Sequence, residues 1–192
     1  MRNTLILVGI AALLLFMGCN QYNGMVTSLE DVKSTWAKVE SQYQRRSDLI
    51  PNIVNTVKGA ANFEQETLTK VIEARSKATQ MKVDANDLSP EKMAEFEKAQ
   101  GQLSGALSRL LVVSENYPQL QATQQFSELR AELAGTENRI TVARNDFNSV
   151  VKSYNVNIKR FPASLFASIF GFKERGYFQS NPGSENVPKV EF

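Results

Sequence analysis

The sequence contains no histidine and a single cysteine, Cys19, among 192 residues. Without histidine, the chain cannot form a Ser-His-Asp triad, a histidine general base, or the usual histidine-bearing zinc, haem and di-iron sites. One cysteine excludes an intrachain disulfide framework and a cysteine-ligated iron–sulfur cluster. These absences exclude most familiar catalytic centres, and we expect a protein that is not an enzyme and uses no cofactor or metal.

An excess of charge of one sign is also missing. The 22 basic and 20 acidic residues leave a net charge of +2, whereas a nucleic-acid-binding domain presents a basic stripe and a higher pI. We therefore expect no nucleic-acid partner. Hydrophobic residues make up 42% of the chain, which is enough to build the core of one domain of ordinary size.

The N-terminus carries an apolar run, which follows Arg2 and extends from Leu5 to Met17. Counted as a helix from Leu5 to Cys19, it measures roughly 22 Å at 1.5 Å per residue, whereas the hydrocarbon core of a bilayer needs about 30 Å. This length is typical of the apolar region of a signal peptide. Residues 1–19 are therefore predicted to be a lipoprotein-type signal peptide or a short membrane anchor.

Cys19 ends this run after a glycine, and it has two interpretations. The Gly-Cys ending resembles a bacterial lipobox, in which the chain is cleaved before the cysteine and a lipid is attached to its sulfur, although Phe16 stands where leucine is usual. The alternative is a buried thiol at the end of a short signal anchor. We favour lipidation of Cys19. Either form attaches the chain to lipid of the cell membrane or outer membrane, and the positive-inside tendency places the residues after Cys19 outside the cytoplasm.

The first predicted helix begins at Met25 and shows a heptad pattern of the coiled-coil kind. Apolar residues recur in alternating steps of 4 and 3, with one polar violation at Arg46. Pro51 lies within the pattern, so either the helix kinks there or Asp48 caps a second segment. The expected core positions are Met25, Leu29, Val32, Trp36, Val39, Tyr43, Ile50, Ile53, Val57 and Ala60.

Three further helices are predicted. The second places Leu68, Val71, Ile72, Arg75 and Ala78 on one face and fades near Lys82. The third starts at the N-cap signal Ser89-Pro90, ends at Pro118, and turns Met93, Phe96, Gln100, Leu103, Leu107, Leu110, Ser114 and Tyr117 inward. The fourth, reaching about Arg160, does so with Phe126, Leu129, Leu133, Thr136, Ile140, Ala143, Phe147, Val150 and Tyr154. No stretch shows convincing strand alternation. Residues 20–161 are therefore predicted to form an elongated, all-α, antiparallel (up-and-down) four-helix bundle.

An aromatic-rich segment, 162–178, follows the bundle and contains a short helix candidate from Ala163 to Phe170. In a bundle anchored before its first helix, the fourth helix returns to the membrane, so this segment should lie at the membrane-proximal end. Its aromatic residues either contact the membrane interface or cap the open end of the bundle. They are Phe161, Phe166, Phe170, Phe172, Tyr177 and Phe178. Residues 179–192 are predicted to be a flexible tail.

Several motifs support a family resemblance. The segment from Arg45 to Val54 resembles the RRxDLIPNLV signature of the LemA family. The segment from Leu107 to Pro118 is similar to that family's LSRLLVVxExYP block, and the segment from Gly135 to Pro162 to its GTENRI…AR…YN…FP block. The similarity covers residues 22–178. It implies a membrane-attached antiparallel four-helix bundle, and it implies no established catalytic role.

Arg46 occupies a core position, where a charge is costly unless it is paired. Counting helical rise from the top of the first helix places Glu132 and Glu137 of the fourth helix near its level. We therefore favour a buried ion pair that fixes register, within a motif that also holds Asp48. The alternative is an anion or partner site built on four arginines, which are Arg45, Arg46, Arg139 and Arg144.

The sequence thus predicts a membrane-anchored, non-enzymatic scaffold of the bacterial cell envelope whose partner is an unidentified envelope or membrane protein. One alternative is a structural role at the membrane interface, through the anchor and the aromatic segment. A third alternative is a carboxylate-based hydrolase, since 20 acidic residues are available. Their spacing is typical of solvated helix faces.

Overall fold

The structure is a computed structural model that describes residues 2–60 and 63–179. Within these residues every regular element is a helix, which agrees with the predicted all-α class. The helices are α1 (Arg2–Lys58), α2 (Gln65–Gln80), α3 (Pro90–Ser114), α4 (Pro118–Gln121), α5 (Gln124–Lys159) and α6 (Ala163–Phe170). The predicted tail, 179–192, lies outside the described residues except for Gln179.

The helix α1 is longer than the sequence predicts. It begins at Arg2 rather than Met25 and continues through Cys19, because the apolar run is itself helical and joins the heptad segment without a break. The Cys19 thiol is free and exposed. In the part of the chain that the structure describes, no helix has an apolar stretch long enough to cross a membrane.

The helix α1 also continues through Pro51, so Asp48 does not begin a second segment. A proline has no N–H to donate to the carbonyl four residues earlier, which here belongs to Ser47. The Nε–H of Arg75, on α2, donates to that carbonyl at 2.9 Å. The interior proline thus frees an acceptor that connects α1 to α2, and the Pro51 ring itself is exposed.

The inward-facing residues predicted for the third helix from Met93 to Ser114 are confirmed, since all of them are buried in α3. One position elsewhere was wrong. Ile72 is 46% exposed, because α2 turns the stripe of Thr67, Val71, Ala74 and Ala78 inward instead. In α5, Val151 is fully buried, and the predicted Val150 is partly buried against the aromatic cluster. The proline at 118 begins α4, and α3 already ends at Ser114.

The long helices pack in pairs, α1 along α5 and α2 along α3. α1 and α5 run antiparallel, because Asn157 of α5 donates to Ser28 of α1 at 3.2 Å, whereas Arg45 of α1 meets Glu132 of α5 at 3.0 Å. The helix α6 lies against both α1 and α5.

Two hydrophobic clusters form the core. The aromatic cluster contains the rings of Trp36, Tyr43, Phe96, Phe147, Tyr154 and Phe178. The aliphatic cluster contains Ile50, Ile53, Val54, Val57, Leu68, Val71, Leu103, Leu107, Leu110, Leu120, Phe126 and Leu133. Along α1 the change from one cluster to the other falls between Tyr43 and Ile50, which is where Arg46 lies.

Candidate functional site

The guanidinium of Arg46 is buried, with 1% of the side chain exposed, and it bonds to residues of two other helices. Its Nη1 donates to Ser104 Oγ at 2.8 Å and to Glu137 Oε2 at 3.0 Å. Its Nη2 donates to Gln100 Oε1 at 2.6 Å. The structure therefore places Arg46 of α1 against Gln100 and Ser104 of α3 and Glu137 of α5, a set we call the Arg46 layer.

The Arg46 layer extends to the fourth long helix through Gln100. The Nε2 of Gln100 donates to the carbonyl of Ala78 on α2 at 3.3 Å. One buried arginine and one buried glutamine thus connect α1, α2, α3 and α5 at a single level. A charge in the core is tolerated when its hydrogen bonds are satisfied, and such a layer fixes the register of the helices.

The guanidinium of Arg46 also lies against the ring of Tyr43. The Tyr43 ring lies under the guanidinium, with its centroid 5.0 Å from Arg46 Cζ. The Nε of Arg46 is buried and has no hydrogen-bond partner among the residues that the structure describes. Burial also raises the pKa of the Tyr43 phenol, so Tyr43 stays neutral at ordinary pH and adds no second charge to the layer.

The remaining polar residues of the motif do not converge on one anion site. Arg45 pairs with Glu132 near the surface, and Arg139 donates to Thr136 Oγ1 at 3.0 Å. Arg144 is paired with Glu97. The exposed Asp48 accepts a hydrogen bond from Gln44 at 2.8 Å. Because each guanidinium is held by a different partner, the alternative of a site built on the four arginines has no geometric support.

The segment after α6 forms a second polar arrangement, which sequence reasoning missed. Residues 172–179, which we call the strap, run without regular structure along α5. Asn155 donates to the carbonyl of Arg175 and accepts from its N–H, both at 2.9 Å. Asn148 makes the same pair of bonds with Phe178, also both at 2.9 Å. Because Asn148 and Asn155 are seven residues apart, they lie on one face of α5 and bind the backbone of the strap at two points.

The strap ends in the aromatic cluster. Phe178 is buried, and its ring centroid lies 5.5 Å from that of Phe147 and 6.1 Å from that of Trp36. Arg144 covers the outer face of Phe178 at 4.7 Å and donates to the carbonyl of Gln179 at 2.8 Å. Phe178 therefore contributes to the core.

Gly176 allows the strap to approach α3 closely. Its N–H donates to the carbonyl of Leu88 at 2.8 Å. A Cβ at this position would lie 2.8 Å from the Cα of Pro90 and 2.9 Å from Cγ of Met93, closer than such atoms normally come. Only a glycine fits there without movement of the backbone. No local sequence pattern indicates this contact.

The aromatic residues assigned to the membrane interface divide into two groups. Phe178 is buried, so its assignment to the interface was wrong, and Phe166 and Phe172 are partly buried against the aromatic cluster. Phe161, Phe170 and Tyr177 are exposed. The exposed face of α6 also includes Leu165 and Ile169, which were not among the predicted interface residues.

Comparison with known proteins gives a consistent result. The model of the LemA family matches residues 35–192. Magnetosome protein MamQ 2 of Paramagnetospirillum magneticum is 28% identical over 186 residues, which cover 86% of this chain and 67% of the relative. Protein LemA of Metamycoplasma hominis is 24% identical over 166 residues, which cover 86% of this chain and 72% of the relative.

Proposed function

The chain belongs to the LemA family, and from that premise we propose that it is a non-enzymatic, membrane-associated helical scaffold. The observation that carries the proposal is the use of the motif residues. The side chain of Arg46 bonds to residues of neighbouring helices, and the side chains of Asn148 and Asn155 bond to the backbone of the strap. The family names MamQ and LemA are not names of enzymes. Because these motif residues make contacts inside the fold, they support a role in holding the helices together for binding to a partner rather than a role in catalysis.

The architecture of this scaffold, in our proposal, is an antiparallel four-helix bundle made of α1, α2, α3 and α5. The antiparallel α1–α5 pair and the Arg46 layer, which connects all four helices, support it. Such a bundle exposes long polar helix faces to partner proteins. The partner we propose is a protein of the membrane or envelope.

Attachment to the membrane, in the same proposal, occurs at residues 1–19. Exposed apolar side chains on this part of α1, which are Leu5, Ile6, Leu7, Val8 and Phe16, support an anchor, and the exposed thiol of Cys19 is accessible to a lipid-transferring enzyme. Labelling cells with a fatty-acid analogue should label the wild type and not Cys19→Ser. Equal labelling of the two would contradict lipidation at Cys19 and leave the signal-anchor form.

Photo-crosslinking in cells tests the scaffold function. A photoreactive residue at Val112 of α3, which is 64% exposed, samples an apolar position on the outer surface. The matched control is Asn145 of α5, which is exposed and polar. We expect a discrete adduct with an envelope or membrane protein when the photoreactive residue is at Val112, and no adduct when it is at Asn145. Absence of adducts at these and other exposed positions would contradict a scaffold role.

A second candidate function, a structural role at the membrane interface, rests on α6. Phe166 of α6 lies against Gly18, where a Cβ would be 3.1 Å from its ring, and Phe170 contacts Tyr22 at 4.9 Å between ring centroids. The helix α6 therefore lies beside the end of the apolar run of α1. It turns Leu165 and Ile169 outward, a pattern typical of an interfacial helix.

Flotation with anionic liposomes tests this second function in a chain that starts at residue 20. We expect the chain to float, and Leu165→Asp with Ile169→Asp to abolish flotation. Val112→Asp with Val142→Asp, which adds the same two charges at exposed apolar residues of α3 and α5, should have no effect. If the chain does not float, or if the control variant loses as much binding, the interface role is contradicted.

A further inference from the structure

A cavity of about 620 Å³ lies where the C-terminal turn of α1, the helix α4 and the first turn of α5 meet. This volume falls within the range of roughly 300–1,000 Å³ typical of sites for small molecules. The cavity adjoins the aliphatic cluster through Leu120, which lines it and is itself buried. Neither the Arg46 layer nor the strap contributes to it.

Four amide side chains line this cavity, and they are Asn55, Asn116, Gln119 and Gln125. They come from α1, from the turn before α4, from α4 and from α5, so they approach the space from different elements. Each primary amide offers two donors and a carbonyl acceptor. None of the four makes a side-chain hydrogen bond within residues 2–60 and 63–179, where other glutamines such as Gln124 and Gln121 do.

The described lining of this cavity consists of neutral side chains. Among the described residues that line it, none is an acid or a base. An ionic ligand would therefore gain no counter-charge from the described lining, whose amide side chains are exposed to solvent. A purely apolar ligand would instead cover the amides and leave their donors and acceptors unpaired. The lining selects a neutral ligand that is rich in hydrogen-bonding groups.

Part of the lining is apolar. The ring of Tyr117 lines the cavity and packs against Phe63 at 4.8 Å between centroids, which fixes its orientation. Pro118 and Leu120 contribute aliphatic surface beside it. Gly59 borders the same space without a side chain that would fill it. The ligand must therefore present an apolar face as well as hydroxyl or amide groups.

We propose that this cavity binds a neutral saccharide of one or two rings. A sugar ring carries hydroxyl groups around its edge, which suit the four amides, and C–H groups on its faces, which suit Tyr117, Pro118 and Leu120. An extended peptide presents its polar groups along a line, as the strap does to Asn148 and Asn155. The amides here instead come from four elements around a single space. This inference does not depend on the scaffold function.

Saturation-transfer difference NMR tests the proposal on the full chain in lipid nanodiscs, because detergents with sugar headgroups would compete. The probes are N,N′-diacetylchitobiose, maltose and cellobiose, and a neutral dipeptide, Gly-Asn, stands for the peptide alternative. We expect transfer to at least one disaccharide. Asn116→Ala and Gln119→Ala should each weaken binding by about fivefold, which corresponds to the loss of one hydrogen bond.

The matched controls are Gln102→Ala and Asn145→Ala, which remove exposed amides on α3 and α5 that lie outside the cavity. They should leave binding unchanged, and circular dichroism should show that all four variants are folded. The proposal is overturned if no disaccharide shows transfer at 10 mM (an order-of-magnitude ceiling for weak ligands), if only the dipeptide binds, or if the control variants weaken binding as much as the cavity variants.

Discussion

The aromatic and aliphatic clusters lie on either side of Arg46 and are completed in different ways. The aliphatic cluster is built by residues that recur with helical periodicity in α1, α2, α3 and α5, with Leu120 of α4 added. The aromatic cluster also takes residues from outside the helices, which are Val83 and Leu88 of the loop between α2 and α3 and Phe178 of the strap. One half of the core is therefore complete when the helices pair, and the other half is complete only when the strap binds.

This difference explains residues that a helical pattern leaves without a role. Asn148 and Asn155 face the strap rather than solvent, and Arg144 covers Phe178. In the aliphatic half, the corresponding polar contact is internal to the helices, where Arg75 takes the carbonyl that Pro51 leaves free. In the aromatic half, polar residues thus attach the strap to α5. In the aliphatic half, a polar residue satisfies the carbonyl that Pro51 leaves without a donor.

The largest expected effect is the loss of the ring that completes the aromatic cluster. Phe178→Ala should destabilise the protein by about 3–5 kcal/mol, as is typical when a buried phenylalanine is removed. Phe126→Ala, a buried phenylalanine of the aliphatic cluster, should cost a similar amount in urea unfolding.

The two variants should differ in how they are cut by protease. In Phe178→Ala the strap has lost its buried residue, so cleavage near residues 172–179 should precede global unfolding. In Phe126→Ala no such early cleavage of the strap is expected. Early cleavage of the strap in both variants, or in neither, would show that the two halves of the core are not completed separately.

The next effect concerns the layer between the clusters. Arg46→Met keeps much of the side-chain volume but leaves Gln100 and Ser104 without their partner, so we expect a loss of about 2–4 kcal/mol. Arg45→Met is the matched control, since Arg45 is 55% exposed and its ion pair with Glu132 is worth about 0–1 kcal/mol. Thermal unfolding measures both. An unchanged or raised melting temperature in Arg46→Met, combined with a lost cellular phenotype, would make Arg46 a functional rather than a structural residue.

Periodicity accounts for what the sequence could predict. The heptad steps of α1 identify Ile50, Ile53 and Val57 as core, and the same steps identify Arg46 as a buried position with an acid near its level. The strap has no period, because an extended segment bound at two points repeats neither every 3.6 nor every second residue. Its contacts join residues about 20 to 90 positions apart, and no local pattern encodes them.

The same reasoning explains the greater length of α1 and the error in α2. The apolar run before Cys19 is helical and joins the heptad segment, and its length and Gly-Cys ending predict a targeting segment without predicting that continuity. Ile72 sits at the edge of the apolar stripe of α2, and the rotation of α2 against α3 decides whether such an edge residue is covered. Packing between helices, rather than the pattern within one, sets that rotation.

A smaller effect tests the close approach of the strap to α3. Gly176→Ala should destabilise the protein by about 1–3 kcal/mol, because its Cβ would meet the backbone of Pro90. Gly101→Ala on α3 is the control, where a Cβ meets nothing within 4 Å. There the change should stabilise the helix by about 0.5–1 kcal/mol. The two substitutions are chemically the same, so opposite signs in urea unfolding would isolate the contact with the strap, and equal signs would contradict it.

The smallest effect depends on pH and again differs between the halves. Burial raises the pKa of Glu40, beside the aromatic cluster, and the nearby indole N–H of Trp36 opposes that shift without forming a well-aligned hydrogen bond. A raised pKa in the folded state means that the protonated carboxyl favours folding at low pH, and that this contribution is lost as the pH rises through the folded pKa. Glu40→Gln should therefore be more stable than the wild type at pH 7, by less than about 1 kcal/mol because the side chain is partly exposed, and no more stable at pH 3.

Glu66, on α2 beside the aliphatic cluster, provides the opposite sign. The hydrogen bond from Lys70 lowers the pKa of Glu66, so its contribution to stability is present above the unfolded pKa and is lost as the pH falls through the folded pKa. Glu66→Gln should thus destabilise the protein slightly at pH 7, where it replaces a carboxylate that accepts from Lys70. At pH 3 the wild-type carboxyl is itself protonated and neutral, so the substitution should have no effect. Unfolding curves of both variants at the two pH values measure the difference. If both substitutions change the free energy of unfolding in the same direction at pH 7, burial does not set the pKa of Glu40. The carboxyl of Glu40 would then be as accessible to water as the surface of α2.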